Sequence, residues 1–161
     1  MYDKNSAPTE AQIIQYRYLS PMLDSALAEM REFSKKKQDG LVSATKIKIL
    51  NKLLGDLRSI LANEASVSYL TTLSEEDLSQ NSDAVLILGQ YRAALASFTG
   101  KHDRYESGYG RVWVTKEWIE RHDAVETRDQ EEHEEDEEDD EGDDGEDGGD
   151  ASSDDGASPR N

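Results

Sequence analysis

The 161-residue chain has no cysteine, only three prolines, and no long apolar run. Without cysteine it has no disulfide, no cysteine-ligated metal and no thiol nucleophile. It lacks the run of about 18 consecutive apolar residues that a transmembrane helix needs, so we expect no membrane span. The first residues lack the apolar segment of a signal peptide. We therefore expect an intracellular, cytoplasmic protein.

Signatures of metal and catalytic sites are missing as well. The chain has three histidines, none at i+3 or i+4 from another: His102, His122 and His133. The acidic residues show no EF-hand spacing. Segment 108–110 (Gly-Tyr-Gly) lacks the later glycine and the Lys-Ser/Thr of a phosphate-binding loop. We expect no metal, no cofactor and no enzyme activity. The remote alternative is a small enzyme that uses surface carboxylates such as Glu117 and Glu120 as an acid–base pair.

Negative charge is concentrated at the C-terminal end. The chain has 36 acidic and 18 basic residues. Nineteen of the acids and two of the bases lie from Glu126 onward, which leaves 17 acids and 16 bases for residues 1–125. The last 36 residues therefore carry −17 and the rest −1. The densest run contains these acids: Glu131, Glu132, Glu134, Glu135, Asp136, Glu137, Glu138, Asp139, Asp140 and Glu141.

The composition predicts that residues 123–161 form a disordered polyacidic tail. Apart from alanine its apolar residues are Val125 and Pro159, so burial cannot offset the loss of backbone entropy, about 1–2 kcal/mol per residue. Blocks of like charge are often interaction tails. We predict that the acids of residues 131–141 bind a basic partner surface by mimicking nucleic-acid phosphate. The alternative is a tail that only keeps the protein soluble.

The first helix predicted by apolar residues at helical spacing begins near the N-terminus. Ser6 or Thr9 is its candidate N-cap, and its apolar stripe runs to about Lys37. Pro21 lies inside this stretch. Proline predicts either a kink there or a new helix capped by Ser20.

Two further helices follow. The second runs from the N-cap Ser43 to about Glu64 and has the widest apolar stripe of the chain. The third begins at segment 81–83 (Asn-Ser-Asp) and is predicted to end at Gly100. Between them we expect a loop and a short turn that Ser74 opens.

These helices predict an all-α fold: a small antiparallel three- to four-helix bundle with a disordered acidic C-terminal tail. The domain covers residues 8–122 and follows a flexible N-terminus, residues 1–7. The stripes resemble coiled-coil seams for two to three heptads. Self-association through the helix 43–64 is therefore left open.

The predicted bundle has two candidate contact surfaces. Trp113 and Trp118 lie within six positions, and they either close the core or dock a partner. The other candidate is a group of lysines around the first interhelical turn: Lys35, Lys36, Lys37 and Lys46. These lysines are either a solvated surface or a contact for phosphate or an acidic protein.

The sequence thus predicts a non-enzymatic binding protein whose polyanionic tail engages a basic protein or a nucleic-acid-binding protein, as a nucleic-acid mimic or chaperone-like competitor. We do not expect direct binding of nucleic acid. The alternative is a helical interaction or assembly subunit in which the bundle makes the contact.

Overall fold

Residues 3–77 and 79–124 are described by a computed structural model. By its internal contacts the chain divides into two units, Met1–Ala124 and Val125–Asn161. The second unit contains the acidic run and lies outside the described residues. The disorder, the domain boundaries and the partner contact predicted for it stay predictions.

Helix α1, Glu10–Lys36, begins at the N-cap Thr9. The Thr9 hydroxyl accepts a hydrogen bond from the Gln12 amide, and the Gln12 side chain accepts one from the Thr9 amide at 2.8 Å. This reciprocal pair fixes where the helix starts, and it confirms the cap predicted at Thr9. Pro21 lies inside one continuous helix, so the separate helix capped by Ser20 is wrong.

Helix α2, Ala44–Ile60, has the predicted N-cap Ser43. It ends earlier than predicted and is followed by a short 3-10 helix, Ala65–Tyr69. Helix α3, Asn81–His102, continues through Gly100, where the sequence predicted its end. The end predicted at Gly100 is wrong because the next turn is held by tertiary contacts, which are described below.

Helix α1 packs against both α2 and α3 and runs antiparallel to each of them. Its start lies beside the end of α2, since the Gln12 side chain donates to Ser59 O and Ile60 O at 3.4 and 3.5 Å. Its start also lies beside the end of α3, since the Thr99 hydroxyl donates to the Tyr16 hydroxyl at 2.9 Å. The largest fully buried side chains of the core are Leu23, Ile47, Leu54, Leu57, Ile60, Leu61, Leu88, Tyr91, Leu95 and Phe98.

Side-chain hydrogen bonds hold the connection between α2 and α3 against α2. The Asn51 amide donates to Leu73 O and accepts from Leu73 N–H, both at 2.9 Å. Arg58 donates to Leu70 O at 2.6 Å. The buried Tyr91 hydroxyl has no well-formed hydrogen bond within the described residues. Burial raises the pKa of Tyr91, and the nearby Arg58 guanidinium opposes this rise.

The turn between α1 and α2 pairs with the segment before α3. Val42 N–H donates to Ser79 O and Asn81 N–H donates to Gly40 O, both at 2.8 Å. The Asn81 side chain also donates to Lys37 O at 2.9 Å. A Cβ at Gly40 would lie 2.7 Å from Asn81 Nδ2 and 3.1 Å from Lys37 O. The close pairing therefore depends on glycine at this position.

After α3 the chain forms an antiparallel hairpin of strands β1, Asp103–Glu106, and β2, Gly110–Trp113. Gly108 in its turn and Gly110 at the start of β2 have φ of 83° and 77°, a conformation that favours glycine. The predicted all-α class is therefore incomplete: the described chain is mostly helical with one small sheet. Residues 112–114 (Val-Trp-Val) are a short apolar run typical of a strand, and they overlap β2. The hairpin was not predicted, because Arg104 and Tyr105 of β1 are exposed and give no apolar alternation.

The described chain ends in helix α4, residues 116–124. The Thr115 hydroxyl accepts from Trp118 N–H at 3.1 Å and caps its start. Ala7 is buried in a second small core with Val114 and Ile119. The flexibility predicted for residues 1–7 stays a prediction. No helix in the described ranges is long and apolar enough to cross a membrane.

Replacing Gly40 by alanine should lower the free energy of unfolding by about 1–3 kcal/mol, because Asn81 must give up its bond to Lys37 O to make room. Gly55→Ala is the matched control. Gly55 is exposed inside α2 with nothing within 4 Å of an added Cβ, so stability should rise by up to about 1 kcal/mol. Urea denaturation measures both. Equal effects of the two substitutions would contradict the close pairing at Gly40.

Candidate functional site

An open cleft of about 400 Å³ lies between the start of α1, strand β2 and helix α4. Trp113, at the end of β2, and Trp118, in α4, both line it. The structure thus brings the two candidate contact tryptophans to one place. The cleft also has four charged residues: Glu10, Arg17, Arg111 and Arg121.

Trp113 belongs to the main core as well as to the cleft. Its ring centroid lies 5.2 Å from that of Tyr16 and 6.0 Å from that of Phe98. Such tilted pairs add about 0.5–1.5 kcal/mol to the burial of the rings. Trp113 therefore closes the core, and only part of it faces the cleft.

Trp118 joins the hairpin turn to α4. Its ring packs edge-to-face against Tyr109 at 6.2 Å and against His122 at 4.6 Å, and the rings of Tyr109 and His122 are 4.8 Å apart. Tyr109 is 57% exposed. This aromatic group is partly open to solvent and borders the cleft, so a role of Trp118 in partner binding stays a prediction.

Two of the three arginines that line the cleft form ion pairs. Arg121 lies 2.6 Å from Glu10 Oε1, and Arg111 lies 2.9 Å from Asp103 Oδ1. The hydrogen bond to Asp103 raises the pKa of Arg111. Arg17 is exposed and forms no ion pair within the described residues. A guanidinium group beside aromatic rings suits a carboxylate or an aromatic side chain of a partner.

The predicted group of lysines lies where α1 ends and α2 begins. Lys46 Nζ lies 3.5 Å from the centre of the Phe33 ring and 3.9 Å from Glu29 Oε1. Lys35 pairs with Glu32 at 2.6 Å, and this hydrogen bond lowers the pKa of Glu32. The other two lysines are exposed: Lys36 and Lys37. Two of the four thus already have partners, and a contact with phosphate or an acidic protein stays a prediction.

The sequence did not predict a contact between the buried His102 and the half-buried Glu64. His102 Nε2 lies 2.8 Å from Glu64 Oε1, and their side chains are 6% and 12% exposed. Lys101 Nζ lies 3.3 Å from the same oxygen, and His102 O accepts from Val114 N–H at 2.8 Å. These contacts stabilise the last two residues of α3, Lys101 and His102, which follow Gly100. No local signal predicts the pair, because its members lie far apart in the sequence.

The two surface carboxylates considered for catalysis have separate structural contacts. Glu117 Oε2 accepts from the Glu10 amide at 3.0 Å, which caps the start of α1. Glu120 pairs with Lys4 at 2.7 Å. Within residues 3–77 and 79–124, no three or more histidine, aspartate or glutamate side chains are grouped to hold a metal ion. That the protein has no enzyme activity stays a prediction.

The cap by Glu117 predicts a pH-dependent contribution to stability. Hydrogen bonds from its own amide, and then from the Glu10 amide and the Thr115 hydroxyl, lower the pKa of Glu117 below its ordinary value of 4.5. Since the folded pKa is the lower one, the contribution is present above about pH 4.5 and is lost as the pH falls through the folded pKa.

Glu117→Ala should therefore cost about 0.5–1 kcal/mol at neutral pH, as the loss of a cap does. The difference from the unchanged protein should shrink at an acidic pH below the lowered pKa of Glu117, where both carry no charge at this position. Urea denaturation at both pH values is the measurement, and Glu76→Ala, at an exposed carboxylate without a hydrogen bond in the described part, is the control. A cost that is the same at both pH values would contradict the role of the charge.

The acids between Glu131 and Glu141, which are the main predicted contact, lie outside the described residues. The chain matches no protein-family model, and neither a curated protein nor a solved structure is significantly similar to it. The function has to be inferred from the residues themselves.

Proposed function

We propose that this is a non-enzymatic binding protein whose acidic C-terminal segment engages the basic surface of a partner protein. The observation that carries the proposal is the distribution of charge: −17 in the last 36 residues against −1 in residues 1–125. A segment of this charge attracts a basic surface before contact and raises the rate of association.

The density of the charge indicates the kind of surface. Ten of the eleven residues 131–141 are acidic. Consecutive Cα atoms are about 3.8 Å apart, and the phosphates of one DNA strand follow one another every 3.4 Å or so along the axis. In charge per length of chain the run is therefore comparable to a nucleic-acid strand. A basic groove that binds a phosphate backbone would therefore also bind this acidic run. The run and a nucleic acid would then compete for the same groove.

Residues 1–125 have no comparable excess of charge of one sign. Their opposite charges are often matched side by side, as for Arg92 with Asp24 at 2.6 Å and Lys4 with Glu120 at 2.7 Å. Such exposed pairs contribute at most about 1 kcal/mol each to stability. With 17 acids and 16 bases, residues 1–125 as a whole are nearly neutral, which supports the C-terminal segment as the electrostatic contact.

A second candidate function is an interaction or assembly subunit in which the folded part makes the contact. The cleft that Trp113, Trp118 and Arg17 line favours it, since tryptophan and arginine are common at binding hot spots. In that case the acidic segment only keeps the protein soluble.

Replacing the ten acids of residues 131–141 by glutamine and asparagine keeps the length and removes the charge. We expect binding to a histone-like basic protein to weaken at least about a hundredfold, since a loss of roughly 0.3 kcal/mol per charge adds up to about 3 kcal/mol. Fluorescence anisotropy with labelled protein measures this. Added DNA should compete with the unchanged chain for the same basic protein.

Arg17→Ala is the matched control on the cleft, and it should bind the basic protein normally. Full affinity after the acids are neutralised would rule out the proposed function. Loss of affinity in Arg17→Ala alone would favour the second candidate.

A further inference from the structure

The outward side of α1 carries an unusual surface. Between positions 11 and 25 it has seven exposed, uncharged residues, which we call the outer face: Ala11, Ile14, Gln15, Tyr18, Pro21, Met22 and Ser25. Two charged residues of this stretch are also exposed, Arg17 and Asp24, and at 100° per residue both lie along one edge of the outer face. Since residues 1–125 contain 33 charged residues, 17 acids and 16 bases, an uncharged surface of this length needs an explanation.

Large apolar side chains stand along the middle of the outer face. Ile14, Tyr18 and Met22 are 54%, 71% and 56% exposed and follow one another by one helical turn. Ile49 of α2, which is 64% exposed, lines the same shallow groove as Met22. Apolar side chains that cluster on a surface in this way mark an interaction site.

The outer face is symmetric about Tyr18. Four positions away on either side lie the large residues Ile14 and Met22, and seven positions away lie the small residues Ala11 and Ser25. A two-fold axis beside Tyr18, in an antiparallel pair of α1 helices, therefore places Ile14 against Met22 of the second copy. It also places Ala11 against Ser25 of the second copy. A two-fold interface requires this kind of self-complementary surface.

The same two-fold axis brings opposite charges of the two copies together: Arg17 of one copy and Asp24 of the other. The axis brings the edge with Arg17 and Asp24 next to the same edge of the second copy. Side chains of a helix lean toward its N-terminus, so Arg17 of one copy leans toward Asp24 of the other. Within the described residues Arg17 has no ion pair, and Asp24 pairs with Arg92 at 2.6 Å.

We infer that the protein forms a two-fold symmetric dimer in which the outer faces of two antiparallel α1 helices meet at Tyr18. The dimer differs from the self-association considered for residues 43–64. Much of the apolar stripe of that helix is used in the core of the chain itself, where Ile47, Leu54 and Leu57 are fully buried. The dimer does not depend on the acidic segment and stands apart from the proposed function.

Cysteine cross-linking of the full chain tests the register, because the chain has no cysteine of its own. Tyr18→Cys should give a disulfide-linked dimer under mild oxidation, since a disulfide spans Cα atoms about 4.4–6.8 Å apart and position 18 lies at the axis. Tyr69→Cys, at a side chain that is 81% exposed in the 3-10 helix, is the matched control and should stay unlinked. A mixture of Ile14→Cys and Met22→Cys should cross-link more than either variant alone.

Light scattering of the full chain at low and high salt tests the interface without a cross-link. The unchanged protein should be a dimer, and Tyr18→Asp and Met22→Asp should raise its Kd at least about thirtyfold, as hot-spot residues do. Leu86→Asp, at a side chain that is 63% exposed on α3, should leave the dimer intact, and circular dichroism should show the same helix content in all of them.

A monomeric unchanged chain at both salt concentrations would overturn the inference. Equal cross-linking through positions 18 and 69 would overturn it as well. Loss of binding to basic proteins after the acids of residues 131–141 are neutralised concerns the proposed function alone, because those acids are no part of this interface.

Discussion

The packing of α1 against two antiparallel neighbours is the constraint on which the rest of the fold depends. Leu23 and Leu27 of α1 are buried in the core that α2 and α3 complete, whereas α2 and α3 have few direct contacts with each other. Asn51 and Arg58 hold the connection between α2 and α3 in place. Because both neighbours lie on the inner side of α1, its outer face is left to solvent or to a partner.

The distribution of charge is the second organising feature. A net charge of −17 within a folded domain would oppose compact packing through self-repulsion. In this chain that charge lies in the last 36 residues, while residues 1–125 carry −1. Residues 1–125 can therefore bury an apolar core at little electrostatic cost. Contacts of residues 1–125 with a partner would depend on shape and on buried apolar area. Contacts of the acidic segment would depend on charge.

The helices were predictable and the hairpin and cleft were not, for one physical reason. When one side of a helix is buried, the spacing of its own apolar residues shows which side it is. The residue just before the helix often caps it, as Thr9 and Ser43 do. The strands of the hairpin are held by each other and by glycines at positive φ, and pairing between segments leaves no such periodic signal. The cleft needs α1 beside α4, which the bond from the Glu10 amide to Glu117 provides and which no local pattern contains.

The salt dependence of binding tests the central claim most directly. In a titration of the full chain against a histone-like basic protein, the account predicts that the logarithm of the affinity falls steeply and linearly with the logarithm of the salt concentration. The slope should reflect the release of several counterions, as it does when basic proteins bind nucleic acid. An affinity that stays the same from low to high salt would contradict the account.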